Sequence, residues 1–164
     1  MGFYKFFTHS ANGEPLSSMP KSKTGEKLKE NKPNNLDKEY YSFLKWFVGF
    51  TDAEGNFLIS IDRGYYRFRF KISMHIDNLE ALNFIKSKVN VGNVTIEKSR
   101  NRCSFVVQDF TEIKDVICPI FIKFPLLTSK RLDFQDFFEA VQIKNKKYIS
   151  GSDKEKIISL KNGI

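Results

Sequence analysis

The chain has 164 residues, the length of about one domain, and its net charge of +8 with a pI near 9.4 points toward a polyanionic partner, most simply nucleic acid. Two cysteines, Cys103 and Cys118, are too few for a disulfide framework or a metal-ligand cluster. No apolar run approaches the length of a membrane span, and the 17 phenylalanines supply ample material for a core.

Residues 1–36 read as a flexible polar tail or linker. Phe3, Tyr4, Phe6 and Phe7 open it, and the stretch from Ser10 to Asn35 is rich in Ser, Pro, Gly, Asn and Lys. It has no signal-peptide pattern, and its lack of arginine fits a transit peptide poorly. The folded domain is expected over 37–164.

Asp37 is suited to the N-cap of a helix on which Tyr40, Phe43, Leu44, Phe47, Val48 and Phe50 recur at helical spacings. From Phe43 to Phe50 this helix is apolar almost all the way round, so burial on more than one side is expected. Gly49 within it costs about 1 kcal/mol relative to alanine, which suggests a close approach by another backbone. Gly55 suits a C-terminal cap. Glu54 then lies at the negative end of the helix dipole, an unfavourable place for a carboxylate without a nearby cation.

Two strands follow. Phe57, Ile59 and Ile61 alternate with Asn56, Leu58, Ser60 and Asp62, and a turn at Arg63-Gly64 leads to a run from Tyr65 to His75. Tyr66, Phe68, Phe70, Ile72 and Met74 form its apolar face, while Tyr65, Arg67, Arg69, Lys71, Ser73 and His75 form the other. Such a face can simply be solvated, but three like charges on one strand repel each other, and that cost favours an anionic partner. Asp77 and Glu80 form a capping-box pattern for a helix reaching Lys88. A second hairpin is expected from Asn93 to Arg100 and Arg102 to Phe110. Val94, Ile96, Cys103, Phe105 and Val107 should face the core, with Asn93, Thr95, Glu97, Arg102, Ser104, Val106 and Gln108 outward. Thr111 is expected to cap a helix reaching Phe124, kinked or restarted at Pro119. A long helix should follow Thr128, and a short one should cover Asp153 to Lys161. This order gives an α+β domain with one antiparallel sheet.

Residues 47–55, FVGFTDAEG, resemble the signature of the LAGLIDADG homing endonucleases and intron maturases. Gly49, Asp52, Ala53 and Gly55 match letter for letter, and Glu54 replaces one carboxylate by another. The segment from Phe124 to Phe134 is similar to the entry into the last long helix of the fungal organellar branch, and Phe70 to His75 is similar to its second strand. The resemblance implies an α-β-β-α-β-β-α domain whose curved four-stranded sheet saddles the DNA major groove. It implies a site-specific endonuclease that makes metal-dependent double-strand breaks across the minor groove, with short 3′ overhangs. Glu54 would be the catalytic acid and a ligand to Mg²⁺, and Lys130 would stabilise negative charge. Contacts to double-stranded DNA would come from Asn56, Ser60, Tyr65, Arg67, Arg69, Lys71, Ser73, His75, Thr95, Arg100, Arg102, Ser104, Gln108 and Arg131.

Phe47, Val48, Gly49, Thr51 and Asp52 would form the interface with a second signature helix. The chain contains one such helix, so the resemblance leaves a homodimer or half of a two-motif protein; the start at Met1 favours the homodimer. Six arginines against 21 lysines, with many Phe, Ile, Asn and Tyr, fit an AT-rich organellar coding genome and a mitochondrial location. Two other functions stay open. One is a maturase binding group I intron RNA without cleavage, and the other is a DNA-binding regulator with a decayed site.

Overall fold

The computed structural model describes residues 35–164, within the unit Pro33–Ile164 of the two into which the chain divides. The expected polar tail over 1–36 lies outside the described residues, except that Asn35 and Leu36 already belong to the first helix.

Helix α1 runs from Asn35 to Glu54, so Asp37 sits in its first turn instead of at the N-cap, with its charge at the favourable end of the dipole. Strand β1 (Gly55–Asp62) follows with no loop between. Gly55 is therefore not the left-handed cap expected, and its φ is not positive. A Cβ on it would crowd the Thr51 methyl and lie 2.7 Å from the Thr51 carbonyl oxygen. Glycine here lets the strand start against the last turn of the helix.

Strand β2 (Tyr65–His75) pairs antiparallel with β1 through a two-residue turn. Arg63 and Gly64 both have positive φ, 49° and 84°, as the tight hairpin twist requires. A short 3₁₀ turn (Ile76–Asn78) precedes α2 (Leu79–Val89). The expected capping box does not form: Asn78 is the N-cap and makes no side-chain bond, and Asp77 lies 3.0 Å from His75 Nδ1 instead.

Strands β3 (Asn93–Glu97) and β4 (Arg102–Val107) are shorter than expected. A 3₁₀ turn and a left-handed Asn101 end the first, and Asp109 begins the next helix. Asp109, not Thr111, is the cap, its Oδ1 accepting the Glu112 N–H at 2.9 Å. The helical segment comprises α3 (Phe110–Glu112), a π-helical stretch (Ile113–Ile117) and α4 (Cys118–Lys123). Pro119 enters at the first turn of α4, where its missing N–H has least effect. Helix α5 spans Lys130–Lys144 and α6 spans Gly151–Gly163, the latter opened by a Ser150/Asp153 capping box.

The sheet order is β1-β2-β4-β3, fully antiparallel, with the helices against one face. The α+β class and four-stranded sheet are as expected. Phe57 is the hub of the core, its ring centroid 5.3–5.4 Å from those of Phe70, Phe121, Phe134 and Phe137. Such pairs add about 0.5–1.5 kcal/mol each beyond their buried area. Cys103 and Cys118 are buried, and burial pushes the Cys118 thiol up to about 12. Ile96, expected in the core, is 48% exposed near the end of the edge strand β3. The core-facing side of the sheet is covered, and its opposite side is left open to solvent.

Candidate nucleic-acid interface and metal-ligating helix end

The strand register sets the outer face in rows. Asn56 pairs with Lys71, which pairs with Val106, which pairs with Asn93. Leu58 pairs with Arg69 and Ser60 with Arg67. Ser73, Ser104 and Thr95 form another row, and His75, Arg102 and Glu97 the last. Tyr65 and Gln108 are exposed at the margins. Local alternation thus brings twelve of the expected contact residues to one surface.

The face is not uniform. Arg67 is tied to Asp62 at 3.2 Å, whereas Arg69, Lys71 and Arg102 have no ion-pair partner among the described residues. These are the cations whose charge is uncompensated. Ser104 is 8% exposed and shares a 2.9 Å hydrogen bond with Ser73, so both hydroxyls are largely committed. Arg100 is off the sheet. It lies in the 3₁₀ turn at the hairpin tip, 3.3 Å from Glu97.

The end of α1 separates two neighbouring carboxylates by role. Asp52 Oδ2 accepts the Leu127 N–H at 2.7 Å, and its Oδ1 accepts the Thr128 N–H at 3.2 Å and hydroxyl at 2.7 Å. Burial alone would raise its carboxyl, but these hydrogen bonds and the nearby Lys130 charge hold it below the ordinary value. The same Thr128 hydroxyl accepts the Lys130 N–H at 3.2 Å. Asp52 therefore clamps the turn that begins α5 and fixes the backbone at Lys130. Arg131 is exposed one residue further on. Glu54 is exposed and makes no hydrogen bond or ion pair among the described residues. It opens on a concavity of about 350 Å³ lined also by Asn56, Leu58, Lys71, Ser73 and Arg102. That places the free carboxylate at the edge of the cationic sheet face.

The expected helix interface needs correction. Phe47 and Thr51 are fully buried in this domain's own core, Val48 is 7% exposed, and Asp52 is held by the clamp. Gly49 does face outward, with nothing within 4 Å of where a Cβ would stand. The outer stripe of α1 is Ser42, Lys45, Trp46, Gly49 and Ala53, all exposed. An apolar pattern running all round a helix does not say which side packs at home; the sheet decides that.

The model of the LAGLIDADG endonuclease family matches residues 47–141, more than half of the chain, beginning at the first residue of the signature. The chain belongs to the LAGLIDADG endonuclease family. The mitochondrial protein RF1 of Saccharomyces cerevisiae is 33% identical over 83% of this chain and 28% of its own length. The probable intron-encoded endonuclease 2 of Neurospora crassa is 32% identical over 73% of this chain and 26% of its own. The solved LAGLIDADG meganuclease I-AabMI, bound to uncleaved DNA, superposes with a TM-score of 0.66 at 30% identity, over 72% of this chain and 43% of that one. The chain thus spans about a quarter of the curated relatives it matches and under half of that solved chain. Sequence reasoning missed two features of this LAGLIDADG domain, the Asp52 clamp and Asn93 as a candidate contact residue, although it placed Asn93 on the outward face. The first links residues 75 and 76 apart and leaves no local signal; the second was legible in strand parity.

Proposed function

We propose that this domain binds duplex DNA on its open sheet face and supplies one of two acids for metal-dependent strand cleavage, as half of a homing endonuclease. The observation that carries the reading is Glu54: exposed, without a partner among the described residues, and in one concavity with Lys71 and Arg102, which have no ion-pair partner among them either. A carboxylate at a helix C-terminus is electrostatically adverse, and a divalent cation would relieve it. The donor set suits a hard cation such as Mg²⁺, because the helix end offers a carboxylate and carbonyl oxygens and no sulfur or imidazole. No group of three or more His, Cys, Asp or Glu that could hold a metal occurs among the described residues. One chain would therefore provide only part of the coordination, the rest coming from DNA phosphates and a second signature helix, in a homodimer or from another half. When bound, the cation supplies charge neutralisation and an acidified water.

The chain's own groups do the remaining work. Arg69, Lys71 and Arg102 neutralise phosphates or read base edges and set the register on the duplex. Lys130, held by the Asp52–Thr128 clamp, offsets negative charge as it grows on the scissile phosphate. Names of fungal intron-encoded and mitochondrial relatives support a mitochondrial location.

The test uses the purified chain, Mg²⁺, and a pool of duplexes spanning fungal mitochondrial intron-insertion sites. Wild type should cut a subset, and Glu54→Gln should abolish cutting while leaving affinity within a few-fold. Cleavage at the wild-type rate by Glu54→Gln would remove Glu54 from the chemistry. Tight binding to group I intron RNA, with no cleavage of any duplex, would favour the maturase function.

A further inference from the structure

Val106 is an apolar side chain on the polar face of the sheet. Its cross-strand neighbours there are Lys71 on β2 and Asn93 on β3. With Arg69, Thr95 and Gln108 these line a concavity of about 510 Å³, and Val106 alone among the lining residues is apolar. The core lies on the other side of the sheet, so a half-buried valine at this place gains the fold little. Asn93 is exposed, and its side chain makes no hydrogen bond among the described residues.

The two positions are held together by backbone. Gly92 has φ +72°, and a Cβ on it would lie 2.7 Å from the Val106 carbonyl oxygen, so no side chain can separate the start of β3 from β4. The Gly92 N–H donates to Glu112 at 3.2 Å, and Glu112 is itself fixed by the Asp109 cap. Directly opposed residues of antiparallel strands place their Cβ atoms about 5 Å apart. An amide and an apolar branch therefore stand side by side in a rigid setting.

The major-groove edge of an A·T pair carries the same two features. Adenine presents N7 and N6, which an asparagine amide meets in a bidentate fashion, and thymine presents its C5 methyl. We propose that Asn93 and Val106 together read a single A·T base pair in one orientation, Asn93 on the adenine and Val106 on the thymine methyl. The inference rests on the duplex-binding function above and adds a specificity role to it.

The full chain is used to enrich duplexes from a random pool. Affinity is then measured on the enriched duplex with each thymine replaced singly by deoxyuridine, which deletes the methyl alone. At one position wild type should weaken roughly fourfold, the value of one buried methyl. Val106→Ala should bind thymine and deoxyuridine equally there. Asn93→Ala should lose a preference for adenine at the paired position of about five- to 140-fold. The base replacement tests the contact without altering the protein. If the enriched duplex shows no thymine sensitive to the methyl, or if the sensitivity survives in Val106→Ala, this assignment is overturned while duplex binding stands. Absence of any duplex binding overturns both.

Discussion

Replacing Asp52 by asparagine should detach the turn at 126–129 from the end of α1. The carboxylate accepts three hydrogen bonds there, at 2.7, 3.2 and 2.7 Å. Asparagine keeps one acceptor oxygen and turns an NH₂ group toward a donor, so at least one bond is lost and two donors face each other. A hydrogen bond to a charged group contributes about 1.5–3 kcal/mol, and partial exposure places Asp52 toward the lower end for each, so we expect a loss of about 2–3 kcal/mol. Urea unfolding followed through Trp46, the chain's one tryptophan, measures it.

The pH dependence has a definite sign. The folded carboxyl lies below its ordinary 3.8, so its contribution is present above that value and is lost as pH falls through the folded pKa. The gap between wild type and Asp52→Asn should therefore close in acid. Cleavage should fall with stability, since Lys130 loses its anchor, while DNA affinity is retained. A stability change under about 0.5 kcal/mol, with cleavage intact, would refute the clamp. A change in self-association without a change in unfolding would restore Asp52 to a partner interface.

Gly49→Ala fills open space on an exposed helix face, so the isolated chain should gain about 1 kcal/mol of stability, while Gly49→Leu should weaken self-association in sedimentation. If Gly49→Leu assembles as wild type does, no helix crosses at that point. The Thr51 hydroxyl is buried without a partner among the described residues, and Thr51→Val should stabilise the fold by about 1 kcal/mol in the same urea experiment; a loss of that size would mean that the hydroxyl has an acceptor. Asp153 is drawn from 3.8 to about 2, first by the Lys146 side chain and then by the Ser150 backbone and hydroxyl. Its depressed pKa means that the start of α6 should fray as pH falls from 3.8 toward about 2, seen as faster amide exchange at Lys154, and Asp153→Asn should remove that transition.

Local patterning alone specifies the order of the elements and the two faces of the sheet. Strand alternation is a period-two signal, so Arg67, Arg69 and Lys71 had to share a side once Phe68, Phe70 and Ile72 were buried. The Arg63-Gly64 turn was equally local. The place of Glu54 at the end of α1 was legible because it is a property of its own helix. What lay beyond a few residues was decided by tertiary structure. A helix apolar on every side carries no record of which side meets its own sheet, so the pattern does not tell an interface with a second helix from the core in which the sheet buries Phe47, Val48 and Thr51. Asp52 looked like one more signature residue until the chain returned at Leu127 and Thr128 with three donors for it. Asp109 and Thr111 offered competing caps, and the end of β4 selected Asp109. Periodicity reports which residues share a face, whereas only the packing of distant segments fixes what that face touches.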